Sequence, residues 1–184
     1  MTIAIDKLEN SGILKGVSVP PEFLKRKLLD MGKEISNLDE IVLAYTVYGK
    51  LTTIGNLMPF CQAVHETGWF TSRRWLENFN PAGIGATNDG AEGGKWVCPT
   101  AGILAQYAHL LAYSIKPAEA TTTQKLLMQF SPRYAILEKN KLLGVAPTWV
   151  GLNGRWAYPG KTYAQAIANI AKLFLNRGNY FTEN

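Results

Sequence analysis

Leu57-Met-Pro-Phe-Cys-Gln-Ala-Val-His-Glu-Thr-Gly-Trp-Phe70 is the stretch whose reading decides the fold. Leu57, Phe60, Cys61 and Val64 recur at i, i+3, i+4 and i+7, the spacing of a helix with one apolar stripe. At about 100° per residue, Gln62 and Glu66 fall on the opposite face. Thr67-Gly68 stops the helix directly after the acid, with Gly68 as a left-handed cap, and Trp69 and Phe70 follow at once. On spacing alone Glu66 has two readings. It is a solvent-facing glutamate at the end of a core helix, or a carboxyl partly stripped of water by the turn and the aromatics beside it.

Working outward, the chain reads as helices joined by turns. Residues 1 to 18 form an irregular lead-in, and Pro21 suits the first turn of a helix carrying Phe23, Leu24, Leu28, Met31 and Ile35. Lys25-Arg26-Lys27 reads as a solvated face of that helix. Asn37 and Glu40 have the spacing of a capping box for a helix through Ile41, Ala44, Tyr45 and Tyr48. Between Thr71 and Pro99, Asn80-Pro81 and a run of glycines predict turns and a short hairpin, the least helical part of the chain. Ile103, Leu104, Tyr107, Leu110, Leu111 and Ser114 trace one face of a strong helix that Lys116-Pro117 ends. Its His109 reads as a structural histidine. Residues 121 to 143 are helical in pieces broken at Ser131-Pro132, and a last helix spans about 162 to 176, with Tyr163, Ile167, Ile170 and Phe174 inward.

The 184 residues suffice for one well-buried core, and 47% hydrophobic against 18% charged is a globular composition. A formal net charge of +5 favours an anionic partner: nucleic acid, an acidic membrane surface or an acidic cell wall. The Lys and Arg residues are scattered rather than set in a stripe with stacking aromatics, which argues against nucleic acid. No run approaches the ~18 consecutive apolar residues of a membrane span. The N-terminus mixes charges into its apolar positions and has no signal-peptide core, so the product is expected to be made and first kept in the cytoplasm. Cys61 lies on the apolar stripe as a small buried hydrophobe. Two His and two Cys without C-x2-C spacing predict no zinc site, and no cofactor is expected. His65-Glu66 opens like H-E-x-x-H, but position 69 is Trp69.

A resemblance supplies what spacing leaves open. Gln62-Ala-Val-His-Glu-Thr-Gly-Trp-Phe70 resembles the catalytic helix of the bacterial and phage endo-β-N-acetylglucosaminidases that cleave peptidoglycan, where the pattern runs Q-a-x-h/l-E-S/T-G-w. Asn80-Pro-Ala-Gly-Ile-Gly-Ala86 resembles the N-x-x-G-I/L-G segment that follows it, and Gly102 to Tyr113 is similar to the next helix of the family. Pro132-Arg133-Tyr134 and Leu152-Asn-Gly-Arg-Trp-Ala157, ending in Tyr163-Ala164, match the closing part. The motifs stand in order over about residues 38 to 176. The resemblance places the catalytic acid at Glu66. It departs from the family at Ser131, where many relatives carry Asp before the Pro-Arg-aromatic triplet.

Glycoside cleavage needs a carboxylic acid still protonated near neutrality, hence one in a partly apolar pocket. Glu66, beside Trp69 and Phe70, is the acid whose setting suits that task. For a second carboxylate, Glu92 and Asp89 lie in the glycine-rich segment that would face the cleft; substrate assistance by the sugar's own 2-acetamido group is the alternative. Sugar-binding candidates are the aromatics Trp69, Trp96, Tyr134, Trp156 and Tyr163 and the amides Gln62 and Asn80. Core packing is the competing reading for the aromatics, and turn shaping for Asn80.

The expectation is therefore a mainly α (α+β), lysozyme-like helical domain with a small β-hairpin between Phe79 and Val97. Residues 1–36 form its lead-in and first helix, and 37–184 its glucosaminidase part. The expected function is hydrolysis of β-1,4 bonds in peptidoglycan glycan strands. Muramidase cleavage of the neighbouring bond, or a non-catalytic wall-binding or structural domain, are the alternatives. A substrate outside the membrane, with no export signal in the sequence, points to phage-type release with a holin or carriage on a tail or baseplate.

Overall fold

Helix α5 (Pro99–Ser114) runs through the interior of a mainly helical protein: 13 of its 16 residues are buried, so the single apolar face expected for it extends nearly all round. Pro99 starts it at a position where a missing N–H costs nothing, and Ile115 leaves it in extended conformation ahead of Lys116-Pro117. Helices α2 (Leu38–Thr52) and α6 (Thr122–Met128) pack against α5, and α1 (Pro21–Asp30) packs on α2. On another side α3 (Leu57–Glu66) lies against α8 (Tyr163–Asn176). Two short helices, α4 (Arg73–Asn78) and α7 (Tyr134–Lys139), are the other α-helices among the described residues. This computed structural model describes residues 5–85 and 93–176. Among them no helix is long and apolar enough to cross a membrane.

One hydrophobic core runs from Leu8 to Phe174 and takes in Leu8, Ile13, Val19, Leu24 and Leu28 of the N-terminal segment. That segment is also stitched in by backbone bonds, Ile13 N–H to the Pro147 carbonyl at 2.8 Å and Trp149 N–H to the Ser11 carbonyl at 3.1 Å. The Asn56 amide brackets Val19, donating to its carbonyl and accepting from its N–H, both at 2.8 Å. Residues before 37 therefore share the core of the rest. Leu57, Phe60, Cys61 and Val64 are at most 1% exposed. Burying each of the three larger side chains contributes roughly 1.5–3 kcal/mol.

The structure corrects several local readings. Asn37 stands in the left-handed region without capping α2, and Glu40 instead accepts from the Thr100 N–H and hydroxyl, at 3.3 and 2.8 Å. A complete capping box is found at Thr121 and Gln124 of α6. Lys27 is 2% exposed, its ammonium 5.3 Å from the Phe23 ring centroid, so Lys25-Arg26-Lys27 is not a solvated face throughout. Its stem fills space against the core, which a long aliphatic side chain can do. The stretch from Thr71 to Pro99 contains α4, begun by Ser72, whose hydroxyl accepts from Trp75 N–H.

No strand occurs among the described residues of Phe79–Val97, only a paired loop. Its arms are tied by Gly94 N–H to the Ile84 carbonyl (2.8 Å) and Trp96 N–H to the Asn78 carbonyl (3.0 Å). Gly102 of α5 lets this loop pass: a Cβ there would sit 1.9 Å from the Phe79 carbonyl oxygen.

Candidate active site

Helix α3 is buried on every side from Leu57 to Val64, so Gln62 faces the interior at 0% exposure rather than solvent. Only at His65 and Glu66 does the helix meet the surface, and Glu66 is half-buried there. Gly68 takes the left-handed conformation expected of the cap, and Trp69 and Phe70 continue it at φ 65° and 61°. Left-handed backbone costs a residue with a side chain about 1–2 kcal/mol. Thr67 offsets this: its hydroxyl donates to the Ala63 carbonyl (2.6 Å) and accepts from Phe70 N–H (2.7 Å). The turn sends the Phe70 ring inward onto Phe60 and Trp75, with centroids at 5.5 and 5.0 Å. Trp69 goes onto Phe174 at 6.1 Å, with the Lys33 ammonium 5.4 Å from its ring centroid.

Three groups are set against the Glu66 carboxyl. From α8, the Tyr163 hydroxyl donates to Oε1 at 2.6 Å. From the loop after α4, Gly83 approaches Oε2: at φ +61° it is a position that favours glycine, and a Cβ there would lie 3.4 Å from that oxygen. From α4, Arg74 turns its guanidinium toward the same glycine. Burial raises the Glu66 pKa above the ordinary carboxyl value, and the Tyr163 bond and the Arg74 charge oppose that rise in part. Tyr163 is pushed well above the usual phenol range, first by burial and then by the Glu66 charge, so it stays a donor.

Behind Tyr163 runs a buried chain of side chains. Gln62 Nε2 donates to the Tyr163 hydroxyl (2.8 Å), and Gln106 Nε2 donates to Gln62 Oε1 (2.7 Å) and to the Pro59 carbonyl (2.9 Å). The Tyr45 hydroxyl donates to Gln106 Oε1 at 2.7 Å. Comparisons with family models, with curated proteins and with solved structures find no match to this chain. The site is therefore read from its own geometry.

The residues singled out by sequence divide into three sets. Gln62, Tyr163 and Glu66 come together as one chain, but Gln62 is enclosed and its amide is used inside the protein, so it is not a sugar-binding amide. Asn80, Trp96 and Trp156 come together around the loop beside Glu66. Asn80, 1% exposed, ties the loop by accepting from Ile84 N–H (3.0 Å) and donating to the Ile84 and Gly94 carbonyls (3.0 and 3.2 Å). Its amide is consumed in the way a turn-shaping residue's is. The Trp156 indole N–H donates to the Ala82 carbonyl at 3.0 Å, and Trp96 packs on Ala82 and Ile84. Trp69 and Tyr134 form a third set, half-buried against the main core. Glu92 and Asp89 lie outside the described residues, although Gly85 and Gly94, on either side of that segment, stand in contact.

Sequence reading passed over Gln106, Arg74 and Gly83. A glutamine amid the apolar run of α5 was a visible signal, since a buried amide must find partners. Nothing in the sequence brings Arg74 to Glu66; the turn at Thr67–Ser72 does that.

Proposed function

We propose that this protein is a peptidoglycan hydrolase of lysozyme-like type, cleaving β-1,4 bonds of the glycan strand as an endo-β-N-acetylglucosaminidase with Glu66 as general acid. The observation that carries the reading is the half-buried carboxyl at the end of α3, gripped through one oxygen by Tyr163, with its pKa raised by loss of water. The resemblance of residues 62 to 70 to the glucosaminidase helix names the chemistry for which such an acid is suited. In the proposed reaction Glu66 gives its proton to the leaving glycosidic oxygen, which takes both electrons of its bond to the anomeric carbon. The sugar's own 2-acetamido oxygen, or Glu92, steadies the cation left behind. Water then adds at that carbon and returns a proton to Glu66. Arg74 and the Tyr163 hydroxyl stabilise the intervening carboxylate.

The test is digestion of purified peptidoglycan followed by mass spectrometry of the fragments, with Glu66→Gln as control. New reducing-end N-acetylglucosamine is expected. Reducing-end N-acetylmuramic acid would mean a muramidase, and no new ends would refute hydrolysis. Wild-type turnover in both Glu92→Gln and Asp89→Asn would leave substrate assistance as the second half of the mechanism.

A further inference from the structure

The chain of side chains behind Glu66 has a direction, and one backbone atom sets it. The Pro59 carbonyl can only accept, so the Gln106 atom 2.9 Å from it must be the amide nitrogen. Turned over, Gln106 would press its oxygen against that carbonyl oxygen. With Nε2 so placed, Gln106 Oε1 faces Tyr45, whose hydroxyl must donate at 2.7 Å. The same nitrogen reaches Gln62 at 2.7 Å and requires an acceptor there, Oε1. Gln62 then presents Nε2 to Tyr163 at 2.8 Å. The phenol oxygen receives that N–H, and its single proton is aimed at Glu66 Oε1, 2.6 Å away. Gln62 and Gln106 are each 0% exposed, so these bonds are shielded from bulk water.

We infer that Gln106 and Gln62 act as positioning residues which, anchored on the Pro59 carbonyl, force Tyr163 to donate to Glu66 Oε1 and so confine the acid's transferable proton to Oε2. Oε1 cannot carry a proton toward Tyr163 while it accepts one from it. Oε2 is the oxygen beside Gly83, on the loop side where Arg74 also points. Among the described residues a further titratable group on this side is His65, whose ring lies edge-on to Tyr163 with centroids 5.9 Å apart. The proton's use as the catalytic one rests on the glycosidase reading above; the direction of the chain does not.

The test follows the Glu66 carboxyl itself by 13C NMR, assigned with Glu66→Gln, so that it reads protonation whether or not the protein cuts glycans. Tyr163→Phe removes the donor to Oε1 and is expected to move the Glu66 titration to higher pH and to lower kcat about tenfold or more. Gln106→Met releases the Gln62 amide to turn over and draw the Tyr163 proton away, moving the titration in the same direction by less, with the basic limb of kcat following. Tyr45→Phe breaks an equally buried bond but leaves Pro59 in control, so the titration should stay in place. A purely structural role predicts instead that Gln106→Met and Tyr45→Phe act alike, and that result, or an unmoved titration in Gln106→Met, would overturn the inference. Should Gln106→Met not fold, neutron diffraction of the wild type at acidic pH decides: hydrogen on Oε2 supports the inference, and hydrogen on Oε1 refutes it. An active Glu66→Gln alongside the expected titrations would sink the role of Glu66 as general acid alone, and a wild type that makes no new reducing ends would sink the glycosidase reading alone.

Discussion

Glu66 and His109 lose water for the same reason, and their titrations are shifted in opposite directions. Burial disfavours charge, so the carboxyl's pKa is raised above the ordinary value, whereas the imidazole's is lowered to about 3. Both shifts favour the neutral form. What separates them is access. Glu66 sits at the end of α3 with Oε2 toward the loop, while His109 lies mid-helix in α5, 5% exposed, beneath Trp156 and Tyr113 at 4.8 and 5.0 Å. His109 Nδ1 is paired with the Ser131 hydroxyl at 2.9 Å, a contact between two neutral groups. A neutral group with one face free can deliver a proton; one sealed under an indole can only support its neighbours. Trp156 joins the two regions, with its ring on His109 and its N–H on the Ala82 carbonyl of the loop beside Glu66.

The largest expected effect tests the catalytic half of this contrast. Glu66→Gln should cut wall hydrolysis by roughly 10²–10⁴-fold with a cooperative thermal melt preserved, the size expected for loss of a general acid. More than about a hundredth of wild-type activity in that variant would contradict the role.

The supporting half is tested by acid. Because His109 is depressed in the folded state, the unfolded chain binds its proton first as pH falls. Stability that His109 contributes is present above its ordinary value and is lost progressively down to about 3, by on the order of several kcal/mol. Denaturant midpoints between pH 7 and 4 should fall more steeply for the wild type than for His109→Gln, which retains an amide for Ser131. Parallel curves would break the contrast.

Trp156→Phe keeps a ring near His109 but removes the N–H that holds Ala82. It is expected to cost about 1 kcal/mol for the lost hydrogen bond, and to slow turnover several-fold while leaving the acid dependence of stability unchanged. Turnover equal to wild type would show that the loop beside Glu66 does not need this tether.

The smallest effect is on stability at Glu66. Its raised pKa means that the folded state holds the proton more tightly, so the stabilisation it confers is complete at acidic pH and is lost as pH rises through the folded value. Glu66→Gln should therefore melt slightly above the wild type near neutrality, with the gap closing as both are acidified. A gap that widened on acidification would reverse the sign of the desolvation argument.

Much of this protein was legible in its sequence. The α3 stripe, the Gly68 cap, the Pro99 start and Lys116-Pro117 end of α5, the break at Ser131-Pro132 and the final helix all follow from local rules that act within a few residues. Where a local signal misled, a distant partner outbid it. Asn37 and Glu40 have capping-box spacing, yet Glu40 is taken by Thr100, 60 positions away. Gln62 has a polar side chain on what looks like the wet face of α3, yet α5 and α8 close over that face and turn its amide into a link between Gln106 and Tyr163. Asn80 looks like a sugar-binding amide and is spent on Ile84 and Gly94.

The sequence by itself determined that Glu66 ends a helix, because periodicity, capping and turn chemistry are properties of neighbours along the chain. Only the tertiary structure decided which oxygen of Glu66 is held and which faces the loop. That depends on Tyr163, 97 positions on, on Gln106, 61 positions from its Tyr45 partner, and on one carbonyl at Pro59. Hydrogen-bond direction is fixed by groups brought together in space, and no spacing along the chain records it.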